Sequence, residues 1–209
     1  MLTLVIGNKN YSSWSLRPWL ALKQAGIAFH EAAVDLYAPD SKALILKHSP
    51  SGKVPALIDA GLAVWDSMAI CEYAAEIEPT LWPRQREARA VARAVSAEMH
   101  AGFAALRSRM PMNCRAALPG EGRAPEVERD IARIVALWEE CRDRFGGGGT
   151  FLFGTFSIAD AMYAPVVWRF RTYAVALPSA ARAYAEAMEA LPAMQEWLAA
   201  ALAEPERKS

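Results

Sequence analysis

The chain of 209 residues has 23 lysines plus arginines against 23 aspartates plus glutamates, for zero formal net charge, and 54% of its residues are hydrophobic. This balance exerts no overall pull toward nucleic acid or an anionic membrane surface; no apolar run is long enough to span a bilayer, and "MLTLVIGNKN" lacks the pattern of a secretory signal. Three cysteines (Cys71, Cys114, Cys141) stand far apart with no paired spacing, as expected of reduced, mostly buried thiols in a cytoplasmic protein rather than of a disulfide frame or a zinc site.

In chain order, "LTLVI", "FHEAAV" and "VPALIDAGLAVW" are short, turn-bounded apolar runs of strand type. In the last of them, Ala60 and Gly61 sit where a tight hairpin turn belongs. Between these runs "SLRPWLALKQAG" reads as a helix closed by Gly26, and "DSMAICEYAAEI" has apolar residues at helical spacing. The order predicts a small mixed sheet with helices on its faces. After "EPTLWP" the strand signals fade.

From about residue 85 almost every segment has a helical period. "REARAVARAVSAEMHAGFAALRSRM" predicts one long helix interrupted only by Gly102, and "PEVERDIARIVALWEECRDRF" predicts a second that stops at "GGGG". Three more follow in "SIADAMYAPVVWRFRTYAV", "PSAARAYAEAME" and "PAMQEWLAAALAE". The glycine run reads as an interhelical turn, because no Lys-Ser/Thr follows it and no strand precedes it, as a phosphate cradle requires. The expectation is an α/β unit over residues 1–80, then an all-α helical bundle over residues 86–209.

Four features of the first eighty residues could carry chemistry. In "YSSWSLRPW", Ser12 and Ser13 fall between a strand end and a helix start, where free N–H groups and the helix dipole favour an anion. A hydroxyl there can cap the helix, or it can donate to a thiolate and lower its pKa. In "SGKVPALID", Pro55 opens a strand; a trans bond would make it a simple edge residue, while a cis bond would turn the Val54 backbone outward toward an extended peptide. Asp66 and Ser67 start the next helix and can cap it, or meet a ligand's ammonium and carboxylate. Lys53, with Lys42, Lys47 and His48 upstream, supplies basic charge that is either solvated or turned to a ligand.

With "SSWSLR" after the first strand, "KVPAL" opening the third and "DSMAI" opening a helix, the chain resembles the glutathione transferase family. "FSIADAMYAPV" resembles that family's helix-capping segment, with Ser157 as N-cap and Asp160 reaching back to its N–H. The resemblance covers essentially the whole chain and implies a thioredoxin-like first domain with a mixed four-stranded βαβ-ββα sheet. It also implies a cytoplasmic homodimer that takes glutathione and a small hydrophobic electrophile, with no metal, no nucleic acid and no membrane. The serine pattern is most similar to the zeta class, with Ser-Ser-Cys-Ser-Trp-Arg; a zeta-like register makes Ser12 the catalytic serine, and a theta-like one makes it Ser13. Carried over, Val54 and Pro55 would pair glutathione's cysteinyl backbone, and Asp66 and Ser67 would hold its γ-glutamyl end. Lys53 would assist there, with Lys42 and His48 toward the glycyl carboxylate.

Trp14 stands where the zeta-like pattern has Cys, which suggests a flat apolar wall for the electrophile. The resemblance implies that the electrophile site is lined by the long helix, where Met99, His100, Phe103, Arg107 and Met110 could share a broad face, and by a later helix with Trp168 and Arg171. Met and Phe there could equally be bundle core, and Arg107 an interface ion pair. Three activities fit: conjugation of glutathione, zeta-like cis–trans isomerisation, or glutathione binding without turnover in a regulatory protein on the same fold.

Overall fold

The computed structural model describes residues 1–205; residues 206–209, which end the expected helical half, lie outside the described residues. The central strand β1 (Leu2–Ile6) pairs in parallel with β2 (Phe29–Ala33), Leu4 opposite Glu31, and antiparallel with β3 (Ala56–Asp59), Leu4 opposite Leu57. A hairpin adds β4 (Leu62–Val64), giving the order β2-β1-β3-β4. Its turn residues Ala60 and Gly61 have φ of 46° and 92°, the two positive values that let a two-residue turn follow the strand twist.

The alternation along β1 sorts its side chains into two layers. Leu4 and Ile6 join a core with Leu16 and Leu20 of α1 (Ser13–Gln24) and Ile70 of α3 (Ser67–Ile77). Val5 faces the other way, onto Ile45 of the short α2 (Ser41–Leu46). Helix α1 ends where Gly26 takes φ +66°: the Gly26 N–H donates to Lys23 and the Ile27 N–H to Leu22, closing the last carbonyls. This half is a thioredoxin-like domain with a mixed four-stranded sheet.

The rest is all-helical: α4 (Arg86–Ala101), α5 (Ala104–Arg109), α6 (Pro125–Phe145), α7 (Ile158–Thr172), α8 (Ser179–Glu189) and α9 (Pro192–Ala203). Trp138 is its aromatic centre, edge-on to Tyr163 at 5.9 Å and to Tyr184 at 4.8 Å; such pairs contribute about 1 kcal/mol each beyond their burial. The two halves meet along α1, which packs on α7 and α9, where Trp19 and Trp197 lie edge to face at 5.1 Å.

One expected element is corrected. The long helix expected over 86–110 breaks after Ala101, because Gly102 takes an extended conformation and Phe103 a left-handed one at φ 59°. Arg107 donates to the freed carbonyls of Met99 and His100, and Asp130 accepts from the Leu106 N–H, so both new ends are satisfied. Met99 and Arg107 therefore sit on different helices, and the single broad face expected of them does not exist.

The loop 7–12, between β1 and α1, is fixed from the opposite end of the chain. Glu204 accepts from the backbone N–H groups of Lys9 and Asn10 at 2.5 and 3.2 Å. Buried Asn10 donates to Asn113 at 2.9 Å and accepts from the Arg115 N–H at 3.1 Å, while the Trp197 indole donates to the Lys9 carbonyl.

At the start of α7, Asp160 accepts from the Ser157 N–H at 2.8 Å, the Ser157 hydroxyl at 2.9 Å and the Leu152 N–H at 3.1 Å. Burial pushes its carboxyl up to about 6 against those hydrogen bonds. Asp160→Ala strands these donors and should cost about 2–4 kcal/mol at neutral pH, read from urea unfolding. Because the folded-state value lies above the unfolded one, wild type gains stability from this group as pH falls through about 6 toward 4. The measured penalty should therefore grow over that window.

Candidate active site

Helix α1 starts at Ser13, with Ser12 at its N-cap position, but no side chain caps it. The Ser12 hydroxyl donates instead to Ser15 Oγ at 2.7 Å, and Ser15 in turn accepts from the Gly7 N–H at 3.1 Å. Ser12 is thus committed to an internal chain that ties the loop to the helix. The Ser13 hydroxyl has no partner among the described residues, so it is the one left free at the positive end of α1.

Across from α1, the Val54–Pro55 peptide is cis, which decides the alternative the sequence left open. The β1–β3 ladder begins only at Ala56, and the Val54 N–H and C=O have no backbone partner among the described residues. Asp66 caps α3 by accepting from Met68 and Ala69 N–H at 3.0 and 3.4 Å, and its other oxygen meets His100 Nε2 at 3.1 Å. Ser67 is buried with its hydroxyl unpartnered. Trp14, Lys53, Val54, Pro55, Asp66, Ser67 and His100 line one cavity of about 370 Å³, together with Ser51 and Trp65.

Trp14 forms a wall of that cavity and organises its surroundings. Its ring meets His100 edge-on at 5.3 Å and carries the guanidinium of Arg17 at 4.3 Å and of Arg107 at 4.6 Å. Arg17 is buried, and burial, then the neighbouring Arg107 and Arg169, hold it well below the usual arginine range. Burial and Arg107 likewise lower Arg169 to about 10.

Not every expected residue comes to this cavity. Ser12 and Ser13, nearly buried at the start of α1 beside Trp14, do not line it, nor does Arg107, which stacks on the Trp14 ring. Lys42 donates to the Gly52 carbonyl at 3.0 Å, and His48 is exposed, and neither lines it. Met99, Phe103, Met110 and Trp168 are buried in the hydrophobic core, the bland reading of their spacing, because the break at Gly102 and the tight α1–α7 packing turn them inward. Arg171 lies over Trp168 at 5.2 Å and toward Glu189. Sequence reasoning missed Ser51 and Trp65, though both flank motif residues, and gave no role to Arg17, which lies inside the quoted serine segment. A larger groove of about 940 Å³ between segments 80–88 and 144–156 contains none of the residues of "SSWSLR", "KVPAL" or "DSMAI".

Comparisons with known proteins bear on this arrangement. A family model described as "Glutathione S-transferase, N-terminal domain" matches residues 11–77, and one described as "Glutathione S-transferase, C-terminal domain" matches residues 124–200. A curated relative, "Probable maleylacetoacetate isomerase" of Caenorhabditis elegans, is 34% identical over 158 residues, 73% of each chain. A glutathione transferase homolog from Burkholderia gl BGR1, solved with bound glutathione, is 23% identical and superposes with a TM-score of 0.72 over 97% of this chain and 99% of that one. A theta class glutathione S-transferase from Xanthomonas axonopodis pv. citri, also with glutathione bound, is 21% identical with a TM-score of 0.67 over 94% and 96%. At those identities the two structures speak for the fold.

Cys71, Cys114 and Cys141 are all buried, and burial pushes each thiol up to about 12, so none is a reagent. A thiol-titrating disulfide reagent at about pH 8 should find all three inert in the folded protein and all three reactive in urea. Rapid labelling of any of them in the native state would contradict this.

Proposed function

The chain belongs to the glutathione S-transferase family, and from that premise we propose that it ionises the thiol of glutathione at the start of α1 and adds the sulfur to a small electrophile. The observation that carries the reading is the pair of open hydrogen-bonding positions on one cavity: the free Val54 peptide and the buried, unpartnered Ser67 hydroxyl. An extended tripeptide pairs its cysteinyl backbone with Val54. Its γ-glutamyl carboxylate takes the Ser67 hydroxyl and backbone N–H, and its ammonium takes Asp66. Lys53, exposed at the rim, adds attraction for an anionic peptide.

The sulfur then falls to Ser13, whose hydroxyl is free to donate, while Ser12 acts behind it by holding the loop through Ser15. The thiol proton leaves to water, and the resulting anion is stabilised by that hydroxyl and by the uncapped N–H groups of α1. Its lone pair forms the S–C bond, and the electrophile's leaving group departs with the displaced electron pair. No general base stands beside the serines, so stabilising the anion is the main contribution to rate. The reading places the protein in the cytoplasm as a homodimer.

The 34% identical relative supports a second reading on the same site. There the thiolate adds to a cis double bond, the new single bond rotates, and elimination returns the trans isomer and free glutathione. Assaying an aryl halide against a maleyl substrate separates the two reactions.

The serine assignment is tested by following thiolate absorbance of bound glutathione against pH. Ser13→Ala should raise the midpoint by about one unit and lower kcat/KM about tenfold below it. Ser12→Ala should move it less. An unchanged titration in both variants and in the double variant would sink the serine mechanism, and failure of wild type to bind glutathione would sink the reading as a whole.

A further inference from the structure

His100 reaches the cavity from the helical half and faces a carboxylate that the thioredoxin-like half presents there. Asp66 Oδ1 accepts from the Met68 and Ala69 N–H groups at the start of α3, while Oδ2 stands 3.1 Å from His100 Nε2. Both side chains line the cavity of about 370 Å³, together with Ser67. The Asp66 side chain is 56% exposed and that of His100 27%, so the imidazole is the better held of the two.

Several contacts hold that ring. His100 lies in the last turn of α4, where the break after Ala101 frees the carbonyls of Met99 and His100 and Arg107 takes them up. The Trp14 indole meets the imidazole edge-on at 5.3 Å and is itself stacked with Arg107 at 4.6 Å. Trp14 and Arg107 thus fix the ring and the backbone of the same residue. Nε2 is the nitrogen turned to the carboxylate, and Nδ1 is buried with no hydrogen-bond partner. The proton that bridges to Asp66 belongs on Nε2. A second proton on Nδ1 would be a buried donor without an acceptor. The ring thus serves as a neutral donor, which orients Asp66 without cancelling its charge.

An exposed carboxylate tied by one oxygen alone keeps some freedom to turn, and a ligand's ammonium must then order it on binding. Tied through both oxygens, it presents its remaining lone pairs in one direction, so that ordering is done beforehand. We propose that His100 is the positioning residue for Asp66, and that the pair makes the site select a tripeptide with a free α-amino group. The proposal rests on the glutathione reading of the cavity. It adds that the helical half, through one side chain, sets how strictly the amine is read.

The test compares glutathione with glutaryl-cysteinyl-glycine, the same peptide with hydrogen in place of the ammonium, by calorimetric titration and by turnover of an aryl halide. Wild type should bind glutathione about tenfold more tightly than the analogue. His100→Leu should weaken glutathione about tenfold, with the analogue and kcat at saturating peptide changed less than about twofold. His100→Gln, a neutral donor of similar reach, should restore most of the preference. In an Asp66→Asn background the loss caused by His100→Leu should vanish. Should His100→Leu not fold, His100→Ala carries the same expectations. The proposal is overturned if removing the imidazole weakens both peptides alike, as a contact that only joins the two halves would. It is also overturned if glutathione affinity is unchanged, if kcat falls alone, or if His100→Gln loses as much as His100→Leu. Wild type decides in part by itself: failure to bind glutathione refutes the reading of the cavity, whereas binding both peptides equally refutes this inference and leaves the family function standing.

Discussion

The site depends on how the six residues between β1 and α1 are held. A loop cannot place a hydroxyl to within a fraction of an ångström unless its own backbone is fixed. Here it is fixed by groups from the far end of the chain: the Glu204 carboxylate on the Lys9 and Asn10 N–H groups, the Trp197 indole on the Lys9 carbonyl, and Asn113 with Arg115 on Asn10. The thioredoxin-like half thus supplies the helix start, and the all-helical half sets where that start lies. This is why α1 is the seam of the molecule, packed against α3 on one side and against α7 and α9 on the other. The Ser12–Ser15–Gly7 chain completes the fixation from within, and it releases Ser13 from any structural duty.

Stability and function pull apart along the same seam. Most of α1 is apolar and buried as a core helix should be, yet one of its buried positions is Arg17. A hydrophobic residue of similar volume would serve packing better. The Asp160 carboxylate shows the contrast: it is equally buried, but it meets three donors and so stabilises the local fold it sits in. Where a buried charge has hydrogen-bonding partners, burial is offset; Arg17 has the face of Trp14 instead.

Much of the fold was legible because it rests on local rules. Alternation in "LTLVI", the positive-φ pair Ala60–Gly61, Gly26 after α1 and the Ser157–Asp160 pair each declare their element without help from tertiary structure. The break at Gly102 was not legible as a break, since one glycine in a strongly periodic run is usually tolerated; here Arg107 and Asp130, from elsewhere in the fold, satisfy the two ends it creates. The glutathione side of the cavity was legible because its residues come as short contiguous motifs, "KVPAL" and "DSMAI". The surroundings of Trp14 were not, because Arg17 and Arg107, which stack on its ring, are far apart in sequence and a surface arginine looks the same as a buried one. Family resemblance, with helical spacing for Met99 and Phe103, put Met99, Phe103 and Trp168 in the site, where burial puts them in the core.

The central claim is that the start of α1, with Ser13 free and Ser12 committed, is where a sulfur anion is held between the two halves. A crystal structure of the chain with glutathione bound tests it most directly. The account predicts the sulfur within hydrogen-bonding distance of Ser13 Oγ, the cysteinyl backbone paired with Val54 and the γ-glutamyl carboxylate on Ser67. A sulfur that instead lies against Ser12, or away from α1 altogether, would contradict it.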